Sequence, residues 1–368
     1  MSLAMKVPAD GCPDVGSHVV TTAIRTSESY ARTGLRTSCP YDGPMTPSPR
    51  VLHLNDCAFV GENLVAAGRA ADLPWRLLPP ARTWAPVRAG RTTTTKADEA
   101  VTLARIAANV AWSDVVHVHF GTTVRRLRPK VVPRRPYVLH LHGTDIRTIW
   151  KDPTRHAGIQ SAIDNAAHVF YSTPDNADNA LTARPDAEYL PVFVNDAALP
   201  TWEPQGYVAF CSRWEEIKGL ESMLALATRL VRRGIDVRGL DWGPGSADAA
   251  RAGVTLVEKM DHDSYLRFLA GASVVVGQAT RILSVSEIEA LAIGVPLAAV
   301  GSHYAGPDGR PLPIREGSVD SVEDAVMADL AAPAEAAAEL GGADWALSHH
   351  TADRYVPHLE QLYRRLGS

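Results

Sequence analysis

CSRWEEIKGLESM, residues 211–223, decides how the rest of the chain is read. Before it, Tyr207 to Cys211 is an apolar run of strand length. After it, Leu220, Met223, Leu224, Leu226, Ala227, Leu230 and Val231 recur at helical spacing. A strand therefore hands over to a helix through a loop holding Arg213, Glu215, Glu216, Lys218 and Gly219. A helix N-terminus offers free N–H groups and the positive end of its dipole. Arginine adds a planar fork and lysine a compact charge. Gly219 would let a ligand approach the backbone. The junction suits a phosphate or diphosphate; the alternative is a surface ion pair with Glu215 or Glu216. No G-x-x-x-x-G-K-[ST] motif occurs, which excludes a P-loop nucleotide hydrolase.

Outward from this junction the same alternation repeats. In the first half, Arg50–Leu54, Val115–Phe120, Tyr137–Leu141 and Val169–Ser172 read as strands, with a helix opening at Gly61 and running towards Ala70. Glu188 to Val194 carries the last elements of that half. In the second half, Val237–Leu240, Val254–Val257, Val274–Gly277 and Leu297–Val300 are strands, with helices at about 262–270 and 286–293. Short apolar strands separated by helices predict parallel sheets covered on both faces. The polar stretch DAALPTWEPQ, residues 196–205, marks the join. The expected fold class is α/β, with two Rossmann-like domains facing a central cleft. Residues 1–48 form a poorly packed leader, 49–200 the first domain and 201–345 the second. Residues 346–368 form a terminal helix that packs back on the first domain. Met45 is a candidate natural start.

Composition bounds the function. The 368 residues carry 37 basic against 41 acidic groups, a formal charge of −4, which argues against a nucleic-acid binder. One basic patch, Arg125, Arg126, Arg128, Lys130, Arg134 and Arg135, reads either as a solvated loop or as a contact for acidic lipid or an acidic acceptor. Cys12, Cys39, Cys57 and Cys211 are scattered without a C-x-x-C, as expected in a reducing cytoplasm. No apolar run approaches the ~18 residues of a membrane span.

Two further clusters carry polar groups towards strand ends. In RILSVSEIEALAIGVPLAAV, residues 281–300, serines lead into a helix bearing Glu287 and Glu289. A carboxylate in a first turn complements the helix dipole, which accounts for Glu287. Glu289, two residues on and about 200° around the helix, points elsewhere, so one of the pair faces the cleft and can accept both hydroxyls of a ribose. The second cluster is the histidine pair VHVHFG and LHLHGTD. His117 and His119 share one strand face, as do His140 and His142. Such His-x-His pairs bind zinc in metal hydrolases, but no further ligand set follows at clear spacing. Buried or cleft-lining imidazoles are the alternative. His142 to Asp145 lies where the strand gives way to a loop, so its polar groups can reach the cleft.

In this order and spacing the motifs resemble those of the retaining GT-B glycosyltransferases of the family 4 type. The resemblance runs from about residue 50 to the end. It rests on Ser212-Arg213-WEEI-Lys218-Gly219, on Gly239-LDW-Gly243-Pro244-Gly245, and on Glu289-Ala-Leu-Ala-Ile-Gly294-Val-Pro296. DVVHVHFG, HLHGTDIR and YSTPDN add to it in the first half. It implies a hexosyl transfer from a nucleoside-diphosphate sugar to a hydroxyl of a small-molecule, lipid or glycan acceptor, with retention and without a metal or other cofactor. Arg213 and Lys218 would hold the diphosphate and Glu289 the ribose, with Gln278, Ser284 and Glu287 on the donor side. Gly61 would let its backbone approach the diphosphate. His142 would lie by the transferred sugar, with His119 and Asp145 on the acceptor side. The family carries a second Glu eight residues before the Glu289 position, where this chain has Arg281. That departure implies a changed donor or lost turnover. The rival readings are an epimerase or hydrolase of the same fold, a non-catalytic nucleotide-sugar-binding protein, and a histidine-ligated metal hydrolase. High Ala and Arg content points to a GC-rich bacterial source.

Overall fold

The computed structural model describes residues 47–87 and 93–368; residues 1–46 of the leader, with Cys12, Cys39 and Met45, lie outside them. The described residues build two six-stranded sheets, parallel throughout. The first contains β1 (Val51–Leu54), β2 (Trp75–Leu78), β3 (Val115–His119), β4 (Tyr137–Leu141), β5 (His168–Tyr171) and β6 (Glu188–Tyr189), in the order β2-β1-β3-β4-β5-β6. The second contains β7 (Tyr207–Phe210), β8 (Val237–Leu240), β9 (Thr255–Val257), β10 (Ala272–Val276), β11 (Leu297–Val300) and β12 (Arg315–Gly317), in the order β12-β11-β10-β7-β8-β9. Every residue of β1, β3, β7, β10 and β11 is buried, as a sheet covered on both faces requires.

The strands read from the sequence recur within two residues at each end. Two others escape that reading. β2 (WRLL) and β12 (REG) lie at sheet edges and are short and partly charged, so they carry no buried apolar run. Strand order reverses once in each sheet, at β1/β3 and at β7/β10. Loops leaving the C-terminal ends of such strand pairs diverge and open a crevice, which is where open α/β sheets take their ligands.

The linker before the second sheet packs on that sheet, and the residues after it return to the first half. Trp202 Nε1 donates to Ala272 O, while Val194 pairs in a bridge with Thr351 and His350 Nδ1 hydrogen-bonds to Val192 O. The terminal helix Val356–Gly367 buries Val356, Leu359, Leu362 and Tyr363. Tyr363 meets Trp75 edge-on, and its hydroxyl lies 2.5 Å from His117 Nδ1, so this helix covers the first sheet. No helix among the described residues is long and apolar enough to cross a membrane.

Candidate functional site

The loop after β7 is held from beneath by Trp214, which is fully buried. Its indole N–H donates to Leu240 O, its backbone N–H to Trp242 O, and its carbonyl accepts from Gly245 N. A Cβ on Gly243, which has φ 111°, would lie 2.5 Å from Trp214 O, and one on Gly239 would lie 2.8 Å from the indole. The Gly239–Gly245 segment is thus the clamp around Trp214. Arg213 is thereby placed with its guanidinium over the Trp242 ring at 5.0 Å, and it pairs with Glu215 at 2.6 Å. Lys259, unnoticed in the sequence, puts its ammonium 4.3 Å from the centre of the same ring.

Lys218 reaches across the strand-order reversal. Its Nζ donates to Gln278 Oε1 at 2.6 Å, a neutral partner, and no ion pair of Lys218 occurs among the described residues. Gly219 caps the helix Leu220–Arg232 with φ 79°. A Cβ there would stand 2.5 Å from Ala279 O, and Ala279 N donates to Lys218 O. The room that glycine leaves is therefore filled by the loop after β10, not kept open for a ligand.

That loop is pinned by Glu287, which is fully buried. Its Oε1 accepts from Ser212 Oγ and Gln278 N, and its Oε2 from the backbone N–H and hydroxyl of Ser284. Both oxygens are spent, so Glu287 and Ser284, expected on the donor side, brace the loop that presents Gln278. Glu289 points the other way. It is 4% exposed, and its Oε1 meets His262 Nε2 at 2.7 Å. The bond to Glu289 raises the His262 pKa above its ordinary value. The His262 ring stacks on Phe59, from the loop after β1, with centroids 4.3 Å apart, so this pair joins the two halves. Arg281 lays its guanidinium over Tyr304 at 4.2 Å.

In the first half, His53, His117 and His119 stack face to face, with His140 and His142 tilted against them. Burial keeps all five imidazoles neutral and pulls His53 and His140 down to about 3. His119 is fully buried and both its nitrogens are taken, Nε2 by His53 Nδ1 and Nδ1 by His142 Nε2, each at 3.1 Å. It therefore reaches the cleft only through His142, contrary to the expectation of a direct acceptor contact. Asp145 departs from expectation likewise. It is fully buried, and its carboxylate accepts from the N–H groups of Gly121, His142, Gly143 and Ile146, so it shapes the loop. Burial raises its pKa to about 6. A Cβ on Gly61 would stand 3.1 Å from His119 Nε2, and Gly61 N donates to Asp56, so this glycine seats the His119 ring. Two triplets, His53/His117/His119 and His119/His140/His142, each bring one nitrogen per residue within 4.8 Å of the others.

The basic patch is largely committed to the protein itself. Arg125 and Arg126 lie over Trp84, Arg126 pairs with Glu99, and Arg134 and Arg135 donate to backbone carbonyls.

No protein-family profile matches the chain, and no curated protein does. Solved structures match it along most of its length. Sucrose-phosphate synthase from Thermosynechococcus elongatus aligns over 86% of this chain and 99% of its own, at 15% identity and TM-score 0.61. Anabaena HepE, solved with UDP and glucose, aligns over 86% and 100%, at 11% identity and TM-score 0.62. AviGT4, a glycosyltransferase of avilamycin A biosynthesis, aligns over 87% and 98%, at 18% identity and TM-score 0.58.

The chain has the GT-B fold. At such identities the likeness is one of architecture. Within it, the structure brings Arg213, Lys218, Gln278 and Glu289 to the C-terminal edge of the second sheet, and Gly61, His119 and His142 to that of the first. His53, Phe59 and His262 were passed over in the sequence. His53 sits in VLHL, one strand away from VHVH, and only the register that pairs His53 with His117 shows they share a stack.

Proposed function

We propose that the chain transfers a hexosyl group from a nucleoside-diphosphate sugar to a hydroxyl acceptor with retention of configuration, as an enzyme of the family 4 type. The observation that carries this reading is the placement of Arg213 and Lys218 at the β7 end, across the strand-order reversal from Gln278 on the β10 loop. Ligands of GT-B-type sheets enter at such crevices. HepE was solved with UDP, which makes UDP the first nucleotide to test here.

In this reading Lys218 and Arg213 take the diphosphate, Arg213 exchanging Glu215 for a phosphate oxygen. Glu289 takes the ribose hydroxyls once His262 moves off it. The sugar–phosphate bond breaks with oxocarbenium character while charge grows on the leaving diphosphate. Two fixed cations stabilise that charge, so the step proceeds without a metal ion. The leaving phosphate accepts the acceptor's proton on the same face, which retains configuration. His142 lies by the sugar, and the acceptor, a small molecule, lipid or glycan, enters from the first domain. Free Cys57 and buried Cys211 support a cytoplasmic setting.

The test is thermal stability against UDP, GDP and ADP for the wild type and Lys218→Ala, followed by nucleotide release from the matching sugars. A shift with one nucleotide, lost in the variant, supports the diphosphate seat. Release only with an added hydroxyl acceptor separates a transferase from a hydrolase or epimerase. Binding without any release sinks turnover and leaves a nucleotide-sugar-binding protein. The anomeric proton coupling of the product, read by NMR, decides retention.

A further inference from the structure

Glu289, the residue proposed to take the ribose, is nearly covered, and among the described residues its one hydrogen-bond partner is His262, 2.7 Å away. A ribose diol needs both carboxylate oxygens, so it reaches this seat once His262 gives way. His262 is itself held from the other half of the molecule. Its ring lies on that of Phe59, with centroids 4.3 Å and planes 17° apart. Phe59 ends the loop between β1 and the helix Val60–Ala70, is 37% exposed, and belongs to no hydrophobic core among the described residues. The backbone of this loop points the same way. Asn55, Ala58 and Phe59 have φ of 70°, 52° and 58°. Asparagine tolerates this left-handed region, but alanine and phenylalanine rarely enter it. Phe59 also starts its helix without a side-chain cap. Strain of this kind persists where surrounding contacts over-determine it, and it gathers at clamps and switches. Here the contact is to the opposite half, and withdrawing the ring lets the loop relax.

We propose that the loop Asn55–Phe59 is an autoinhibitory gate, in which Phe59 holds His262 over Glu289 and keeps the ribose seat filled until a ligand displaces it. Phe59 acts in this gate as a positioning residue for His262. That the covered seat is a ribose seat rests on the proposed transferase reading; that Phe59 sets the place of His262 does not. The two rings come from opposite sheets, so the gate also ties ligand entry to the separation of the two halves at this point.

Titration of the His262 ring protons, followed by NMR on the full chain, reads the gate without any ligand. The signals are identified by their loss in His262→Ala. In the wild type the midpoint lies above its ordinary value, through Glu289 first and through Asp263 and Glu62 in addition. None of the three is altered in Phe59→Ala. The expected result in that variant is a midpoint that falls towards the ordinary value as the ring leaves Glu289; Phe59→Leu reports the same if the alanine variant does not fold. An unchanged midpoint overturns the gate, because His262 then sits on Glu289 unaided. UDP, GDP and ADP are next titrated by calorimetry at pH 7.5. A seat open for a fraction of the time has its affinity lowered by that fraction, so Phe59→Ala and His262→Ala should bind the accepted nucleotide roughly tenfold more tightly. Equal or weaker binding overturns the gate and makes His262 part of the seat. In the wild type, the Overhauser contact between the Phe59 and His262 rings should vanish on binding; a contact that survives in the complex overturns the gate and leaves the donor reading intact. If none of the three nucleotides binds any of these proteins, the donor reading falls and the His262 midpoint alone decides the gate.

Discussion

Lys218 is bonded to a neutral amide, whereas Arg213 is already paired with a carboxylate. The two cations therefore differ in what a ligand must displace. Lys218 brings a net positive charge to the crevice, and Lys218→Ala removes it without stranding a buried ion. The expected outcome is loss of nucleotide binding with little change in unliganded stability. For the wild type, a nucleotide at a hundred times its dissociation constant adds about 2.7 kcal/mol; an equal gain in the variant refutes the seat. Glu289 is the other decisive residue. Its bond raises the His262 pKa, so this contact contributes stability that is full below about 6.5 and is lost as pH rises through the raised value. In Glu289→Gln the His262 titration should move back down towards its ordinary value, as read from its ring protons by NMR. An unchanged midpoint would mean that another group holds His262. Neither point follows from the sequence, since His262 and Glu289 are 27 positions apart.

At the level of elements, the junction of β7 with the helix Leu220–Arg232 was legible because strand length and helical spacing meet there. The role of its glycine was not. Gly219 has φ 79°, and its missing Cβ admits Ala279 O. Gly219→Ala should therefore pay twice, once for the left-handed backbone, about 1–2 kcal/mol, and again for displacing the loop that carries Gln278. An unfolding free energy from urea titration lowered by at least that amount, with weaker nucleotide binding, is expected; a neutral substitution would show that the loop gives way freely. The helix Val285–Ile293 teaches the same lesson. Glu287 and Glu289 were read correctly as facing apart, but which of them faces the cleft depended on the buried hydroxyl of Ser212, 75 residues away.

For the molecule as a whole, the stack of buried imidazoles makes a statement about acid. His53, His117, His119, His140, His142 and His350 are all held below their ordinary pKa by burial. Their folded values are depressed, so the stability tied to their neutrality is present above about pH 6.5 and is lost as pH falls towards 3–4. Asp145, raised to about 6, and His262 act in the opposite sense but are outnumbered. The melting temperature should fall steeply between pH 6.5 and 4.5, with a slope of up to about 1.4 kcal/mol per pH unit for each imidazole. A flat profile would mean that these rings are hydrated or already charged. The terminal helix belongs to this scale too, since Tyr363 closes the stack from 246 positions away at His117.

The sequence by itself determined the α/β alternation, most strands of each sheet and the ends of the few helices read from it, because these depend on apolar spacing along short stretches of chain. It also pointed to Arg213, Lys218 and Glu289, whose charge and place at element ends are local properties. Only the tertiary structure decided which polar groups are spent within the protein and which are left for a ligand. Glu287, Asp145 and His119 look like site residues in one dimension, yet their bonding capacity is used up by partners that only folding brings near. Hydrogen-bond saturation depends on contacts distant in the chain, and residue spacing carries no record of it.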